Sequence, residues 1–288
     1  MRGEFVDLDG VRLYCYAFGH RGAGHPIVLV HGSFTSSHLW QHVLPRLPKG
    51  HRVLVLDLLG HGRSDPPRAR DGAAGMTVAA HATRLEQLLD VLGVHEAMLV
   101  GHGMGAAVAA RVAHEQPSRI AHLMLVNPTV LDARADEALL SRTVRRVAAL
   151  VPLWRRLAPA WLASALHYAL LPGFAHRDMG ARALDVYLKP FRLREGRDAA
   201  CAQLTALDCS RGDTEEVLRP GAIQCPTAVV LGTADPFLDR ARAARLEASL
   251  RTATNHPLSI HRLPGVAHMA PEEAPDRLGT LVGDLLTQ

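Results

Sequence analysis

Cysteine is scarce in this chain: four in 288 residues, Cys15, Cys201, Cys209 and Cys225, with no CxxC pair. That argues against a disulfide scaffold and fits reduced thiols. Aromatics are also few, six Phe, four Tyr and three Trp, and no basic run alternates with them. The formal net charge is only +4, carried mostly by Arg. A charge that small over this length does not mark a nucleic-acid binder. No apolar run reaches the ~18 residues needed to cross a membrane, and no apolar stretch of a secretory signal follows Met1-Arg2-Gly3-Glu4. The expectation is a soluble cytoplasmic protein acting on a small molecule, without nucleic acid or an integral membrane segment. Monomer and homodimer both stay open.

What is abundant is apolar surface, 48% of residues, enough for one large α/β core with an insertion. Phe5 to Leu8 and Val11 to Phe18 flank an Asp9-Gly10 turn and read as a hairpin. Apolar runs at 26–30, 52–57, 97–100, 120–126, 226–231 and 258–263 read as strands. Between them, 38–47 has amphipathic helical spacing, Thr77 caps a helix through Leu92, and Met104 to Glu115 is a helix packed by alanines. Helices are also expected from about Leu238 to Leu250 and from Glu273 to Leu286. Strand–helix alternation predicts a mostly parallel sheet covered on both faces. It breaks from about Leu131 to Arg219, a helical stretch interrupted by Pro152, Pro159, Pro172 and Pro190. The expected organisation is a core of 1–130 and 220–288 with 131–219 as a helical cap.

The most informative stretch is Val100-Gly101-His102-Gly103-Met104-Gly105. A strand, a Gly-rich turn and a helix are what a nucleophile elbow needs, with the nucleophile at the middle position. Here that position is Gly103, so the side chain is missing. The GxGxG spacing falls on the wrong unit for a dinucleotide loop and lacks the later acid, so no cofactor is expected. His38-x-x-x-His42 has one helix-face spacing of metal ligands, but no third ligand follows, so no metal is expected.

In order along the chain, four motifs resemble those of the α/β-hydrolase superfamily. They are His31-Gly32-Ser33-Phe34, Asp57 with Gly60-His61-Gly62-Arg63-Ser64-Asp65, the 101–105 turn, and Gly232-x-x-Asp235 with Gly265-x-x-His268. The helical insertion is similar to the cap of the branch that holds epoxide hydrolases, haloalkane dehalogenases, meta-cleavage hydrolases and small esterases. The resemblance implies an α/β fold with a mostly parallel eight-stranded sheet. It implies His268 as the base and Asp235 as the acid that orients it, because the other acid position holds Asn127. It also implies an oxyanion hole from backbone N–H groups of Met104 and of Ser33 or Phe34. His102, Trp154, Trp161 and Tyr168 join Met104 and Phe174 as candidate substrate-binding residues, though sequence does not orient them. Ser33 as a substitute nucleophile is disfavoured, since it is off the elbow.

Glycine at the elbow relaxes a turn that needs φ > 0 and removes covalent catalysis, a loss on the order of a million-fold in rate. Three readings follow. One is an enzyme whose His-Asp dyad transfers protons without a covalent step, as a lyase, isomerase, cyclase or water-mediated hydrolase, natural-product tailoring included. The second is a serine ester or C–C hydrolase whose nucleophile was changed to Gly. The third is a non-catalytic ligand-binding pseudo-hydrolase. An apolar, carbonyl-containing molecule is the expected substrate.

Overall fold

The computed structural model describes residues 3–19, 24–68, 70–129, 131, 162–209 and 211–288. Eight strands make one sheet: β1 Glu4–Leu8, β2 Val11–Phe18, β3 Ile27–Val30, β4 Val53–Leu56, β5 Ala97–His102, β6 Ile120–Val126, β7 Thr227–Gly232 and β8 Leu258–Leu263. Their order is β1-β2-β4-β3-β5-β6-β7-β8. β2 runs antiparallel to β1 and β4, and every other pairing is parallel. The parallel strands are apolar runs because both faces are covered: β3, β4 and β5 are buried at every residue. The β1–β2 hairpin turns on Asp9 and Gly10, both at positive φ, with the Asp7 carboxylate accepting the Gly10 N–H.

Helices α1 Val78–Val91 and α2 Met104–Glu115 follow β4 and β5. Thr77 caps α1 by accepting the Ala80 N–H. Between β6 and β7 come α3 Leu162–Leu170, α4 Arg177–Tyr187, α5 Arg194–Cys209 and the short α6 Arg211–Glu215. After β7 comes α7 Arg240–Ala253, capped by Asp239, then after β8 α8 Ala270–Glu273 and α9 Pro275–Leu285. One apolar cluster joins α1, α2 and α7 to the sheet, and a second joins Phe34, Trp40, α9 and much of α3 to α5 to it. No helix among the described residues is long and apolar enough to cross a membrane.

Two expectations need correction. Residues 38–47 are not one helix but two 3-10 turns, Ser37–Trp40 and Leu44–Arg46. Pro45 lacks the N–H that an α-helix would use there and would clash with the preceding turn. The terminal helix is split in two, because Ala274 precedes Pro275 and sits outside the helical region at φ −136° and ψ 48°.

Cys15 and Cys225 are buried, and burial pushes their thiols up to about 11. Four histidines are also fully buried: His31, His61, His81 and His102. Burial lowers His31 to about 4, His61 and His102 to about 3, and His81 well below its ordinary value. Each is neutral in the fold and protonatable in the unfolded chain. The unfolded state therefore binds more protons below about pH 6.5, and the stability present above that pH is lost as pH falls toward 4. Each such histidine steepens the loss by about 1.4 kcal/mol per pH unit. Denaturant titrations at pH 7.5 and pH 5 should show a large drop in unfolding free energy. A flat profile over that range would contradict neutral burial of these rings.

Candidate active site

The elbow joins β5 to α2. A Cβ on Gly101 would overlap the Gly105 carbonyl and lie 2.6 Å from the Ala106 Cα, and one on Gly105 would overlap the His31 and Val30 carbonyls. These two glycines let α2 pass directly against β3 and β5. Gly103 differs. Its φ is +55°, but a Cβ there would have as its nearest neighbours His268 Nε2 at 3.5 Å, Gly32 Cα at 3.7 Å and His268 Cε1 at 3.8 Å, ordinary contact distances. A Cβ therefore fits at Gly103, beside the imidazole.

His268 follows β8, and Asp235 follows β7. The His268 Nδ1 and the Asp235 Oδ2 are 2.8 Å apart, and the carboxylate is fully buried. An Nδ1–H there donates to that oxygen, and Nε2 is the ring nitrogen toward Gly103. The other oxygen, Oδ1, accepts the Phe237 N–H at 2.8 Å. Burial alone would push the Asp235 carboxyl up, but His268, Asn127 and the Phe237 N–H outweigh it and hold the group below its ordinary value. The Phe237 ring meets the His268 ring edge-on, with centroids 5.1 Å apart.

Asn127 was read from sequence only as a residue unable to be the acid. It ends β6, next to β7, at φ +44°. Its Nδ2–H donates to Asp235 Oδ2 at 2.7 Å, so it shares with His268 the oxygen that orients the ring. The neighbouring positions of β6 and β7 could have suggested this contact, but only once the strand order was known.

The loop after β3 is held from behind. His31 Nε2 accepts the Leu58 N–H, and its Nδ1–H donates to the Gly32 carbonyl. Asp57 accepts the N–H groups of Ser37 and Arg63, tying this loop to the one after β4. Phe34 sits at φ +57°, with its buried ring edge-on to Phe191. Met104 opens α2, so its N–H belongs to the first turn, which has no intrahelical acceptor.

The segment from α3 to α4 lies over the base. A Cβ on Gly173 would be 3.4 Å from the His268 Cβ. The Met269 N–H donates to the Gly173 carbonyl at 3.1 Å. Glu273 accepts the N–H groups of Ala175 and Ala267, and the Tyr187 hydroxyl donates to Glu272. None of these contacts was visible in sequence, since the partners lie up to 98 residues apart.

Of the other expected residues, Ser33 is half-buried, with its hydroxyl 3.4 Å from Met104 Sδ. His102 is a support behind the base: its Nε2–H donates to the His268 carbonyl at 2.9 Å, and the two rings lie 4.7 Å apart. Phe174 is buried. Tyr168 is 76% exposed. Leu162, Leu166 and Leu170 form the buried stripe of α3, and Tyr168 falls on the opposite side. Trp154 and Trp161 lie outside the described residues. His42 faces Glu272 at 3.6 Å, and the His38 ring packs on Tyr187.

A glycine elbow, a His–Asp pair and a loop of backbone donors at the strand ends define a hydrolase-like fold and site. The sequence model of the alpha/beta hydrolase fold family matches residues 25–275, and the chain belongs to that family. A candidate carbamate hydrolase, RutD, of Variovorax paradoxus is 31% identical over 87% of this chain and 88% of its own. Uncharacterised proteins of Mycobacterium tuberculosis and Mycobacterium bovis are 39% identical over 43% of this chain, and the match spans 34% of their length. The solved structure of a candidate α/β-hydrolase from a Nostoc species superposes with a TM-score of 0.82 at 24% identity, covering 100% of this chain and 98% of that one.

The three elbow glycines should differ in replaceability. Gly103→Ala should cost about 1–2 kcal/mol, from backbone strain at positive φ alone. Gly101→Ala and Gly105→Ala should cost about 3 kcal/mol or more, or prevent folding, by overpacking. Urea unfolding of the three variants checks the order, and equal losses would refute it.

Proposed function

We propose that this chain is an enzyme that transfers protons with a His268–Asp235 dyad and uses no covalent nucleophile. The observation that carries this reading is that position 103 has room for one atom in ordinary contact with His268 Nε2 and Gly32 Cα. A water or a substrate atom there stands within reach of an unprotonated imidazole nitrogen, the arrangement that general-base catalysis requires. Asp235 orients the ring and stabilises the imidazolium once the proton arrives, and Asn127 steadies Asp235. The Met104 N–H and an N–H of Ser33 or Phe34 receive the oxygen that gains charge. Residues 131–219 act as a cap that shields the reaction from water and supplies apolar walls.

The substrate is a small, mainly apolar carbonyl compound. The reaction is an elimination, isomerisation, cyclisation or water-mediated hydrolysis, all of which need a base and an oxyanion site. Likeness to a candidate carbamate hydrolase supports a small carbonyl substrate. A covalent ester intermediate at the elbow is ruled out by Gly103 itself, which carries no nucleophile.

Gly103→Ser tests the dyad directly. Its Cβ fits, and its hydroxyl would stand beside His268. A fluorophosphonate should label the folded variant at position 103 and leave the parent unlabelled. p-Nitrophenyl acetate hydrolysis should appear with the variant and vanish when His268→Ala is added. In the parent chain, any turnover found on a panel of small carbonyl compounds should fall roughly 10²- to 10⁴-fold in His268→Ala. No labelling of a folded Gly103→Ser would leave a ligand-binding protein as the better reading, and turnover indifferent to His268 would overturn its role as the base.

A further inference from the structure

Two hydrogen-bond donors converge on a single sulfur atom beside the elbow. The Ser33 hydroxyl, on the loop after β3, lies 3.4 Å from Met104 Sδ. The side-chain amide nitrogen of Gln203, on α5, lies 3.2 Å from the same atom. Gln203 and Met104 are each 1% exposed. A thioether is a weak acceptor. A buried amide that faces one lacks most of the compensation that an oxygen would give it. The two donors come from separate elements, one from the sheet edge and one from the helices between β6 and β7. Met104 is unbranched and has three rotatable bonds, so its thioether can leave without moving the backbone N–H that begins α2.

We propose that Ser33 Oγ and Gln203 Nε2 form a subsite for a second, uncharged oxygen of the substrate, held by the Met104 thioether until that oxygen arrives. The ligand class is a carbonyl compound that carries an ether, ketone or hydroxyl oxygen a few atoms from the reacting carbonyl. A neutral oxygen fits better than a carboxylate. His81 lies beside Gln203 and packs on His61. Both rings are neutral through burial, so neither balances an added negative charge. The proposal rests on the reading that the reacting carbonyl binds over Gly103, and it adds where the remainder of the molecule is recognised.

Methyl methoxyacetate and methyl butyrate form a probe pair of equal length that differs by one ether oxygen. With the methionine methyl groups of the parent chain labelled with ¹³C, and Met104 assigned through Met104→Leu, the Met104 methyl signal should shift on titration with methyl methoxyacetate. It should shift much less with methyl butyrate. Equal shifts would overturn the proposal, because they would report apolar contact alone. This measurement needs no turnover, so it stands apart from a failure of the dyad chemistry.

The kinetic arm uses the Gly103→Ser chain with the p-nitrophenyl esters of the same two acids. The ratio of their kcat/KM values cancels general effects of a variant on the dyad. Gln203→Met keeps the volume of the side chain and removes its donor. It should lower the methoxyacetate-to-butyrate ratio about three- to tenfold, the worth of one neutral hydrogen bond. An unchanged ratio would overturn the subsite. Were Gln203→Met not to fold, the methyl titration of the parent chain decides the question alone.

Discussion

The close approach of α2 to β3 and β5 is the constraint from which the site follows. It exists because positions 101 and 105 carry no Cβ. With the helix pressed onto two parallel strands, the chain between them must reverse within a few residues, and only a positive φ at position 103 accomplishes that. The same approach puts the first N–H groups of α2 opposite the loop after β3. The start of α2, the loop after β3 and the His268 ring therefore gather at one place.

Much of the core was legible in the sequence because its strands are buried on both faces. A parallel strand such as Ile27–Val30 has no solvent-facing side to encode, so it appears as an unbroken apolar run. Thr77 and the Asp9-Gly10 turn marked ends correctly through local chemistry. Proline misled the reading at Pro45 and Pro275, where an amphipathic spacing continued across a residue that stops an α-helix. Asn127 and Glu273 escaped notice for another reason. Their partners, Asp235 and Ala175, are about a hundred residues away, and only the fold brings them together.

His31, His61, His81 and His102 are kept neutral by burial, and the nitrogens of His31, His61 and His102 hold backbone groups of the loops around them. Asp235 is held below its ordinary value by His268, Asn127 and the Phe237 N–H, and Asp57, also buried, accepts the N–H groups of Ser37 and Arg63.

Glu273 has a consequence of a mechanical kind. One carboxylate grips the backbone on both sides of a joint, Ala267 beside the imidazole and Ala175 in the segment above it. Met269 and Tyr187 add two more rivets between the same parts. The covering segment and the loop that carries His268 are thus tied together by hydrogen bonds from several positions, so that a shift of one is a shift of the other.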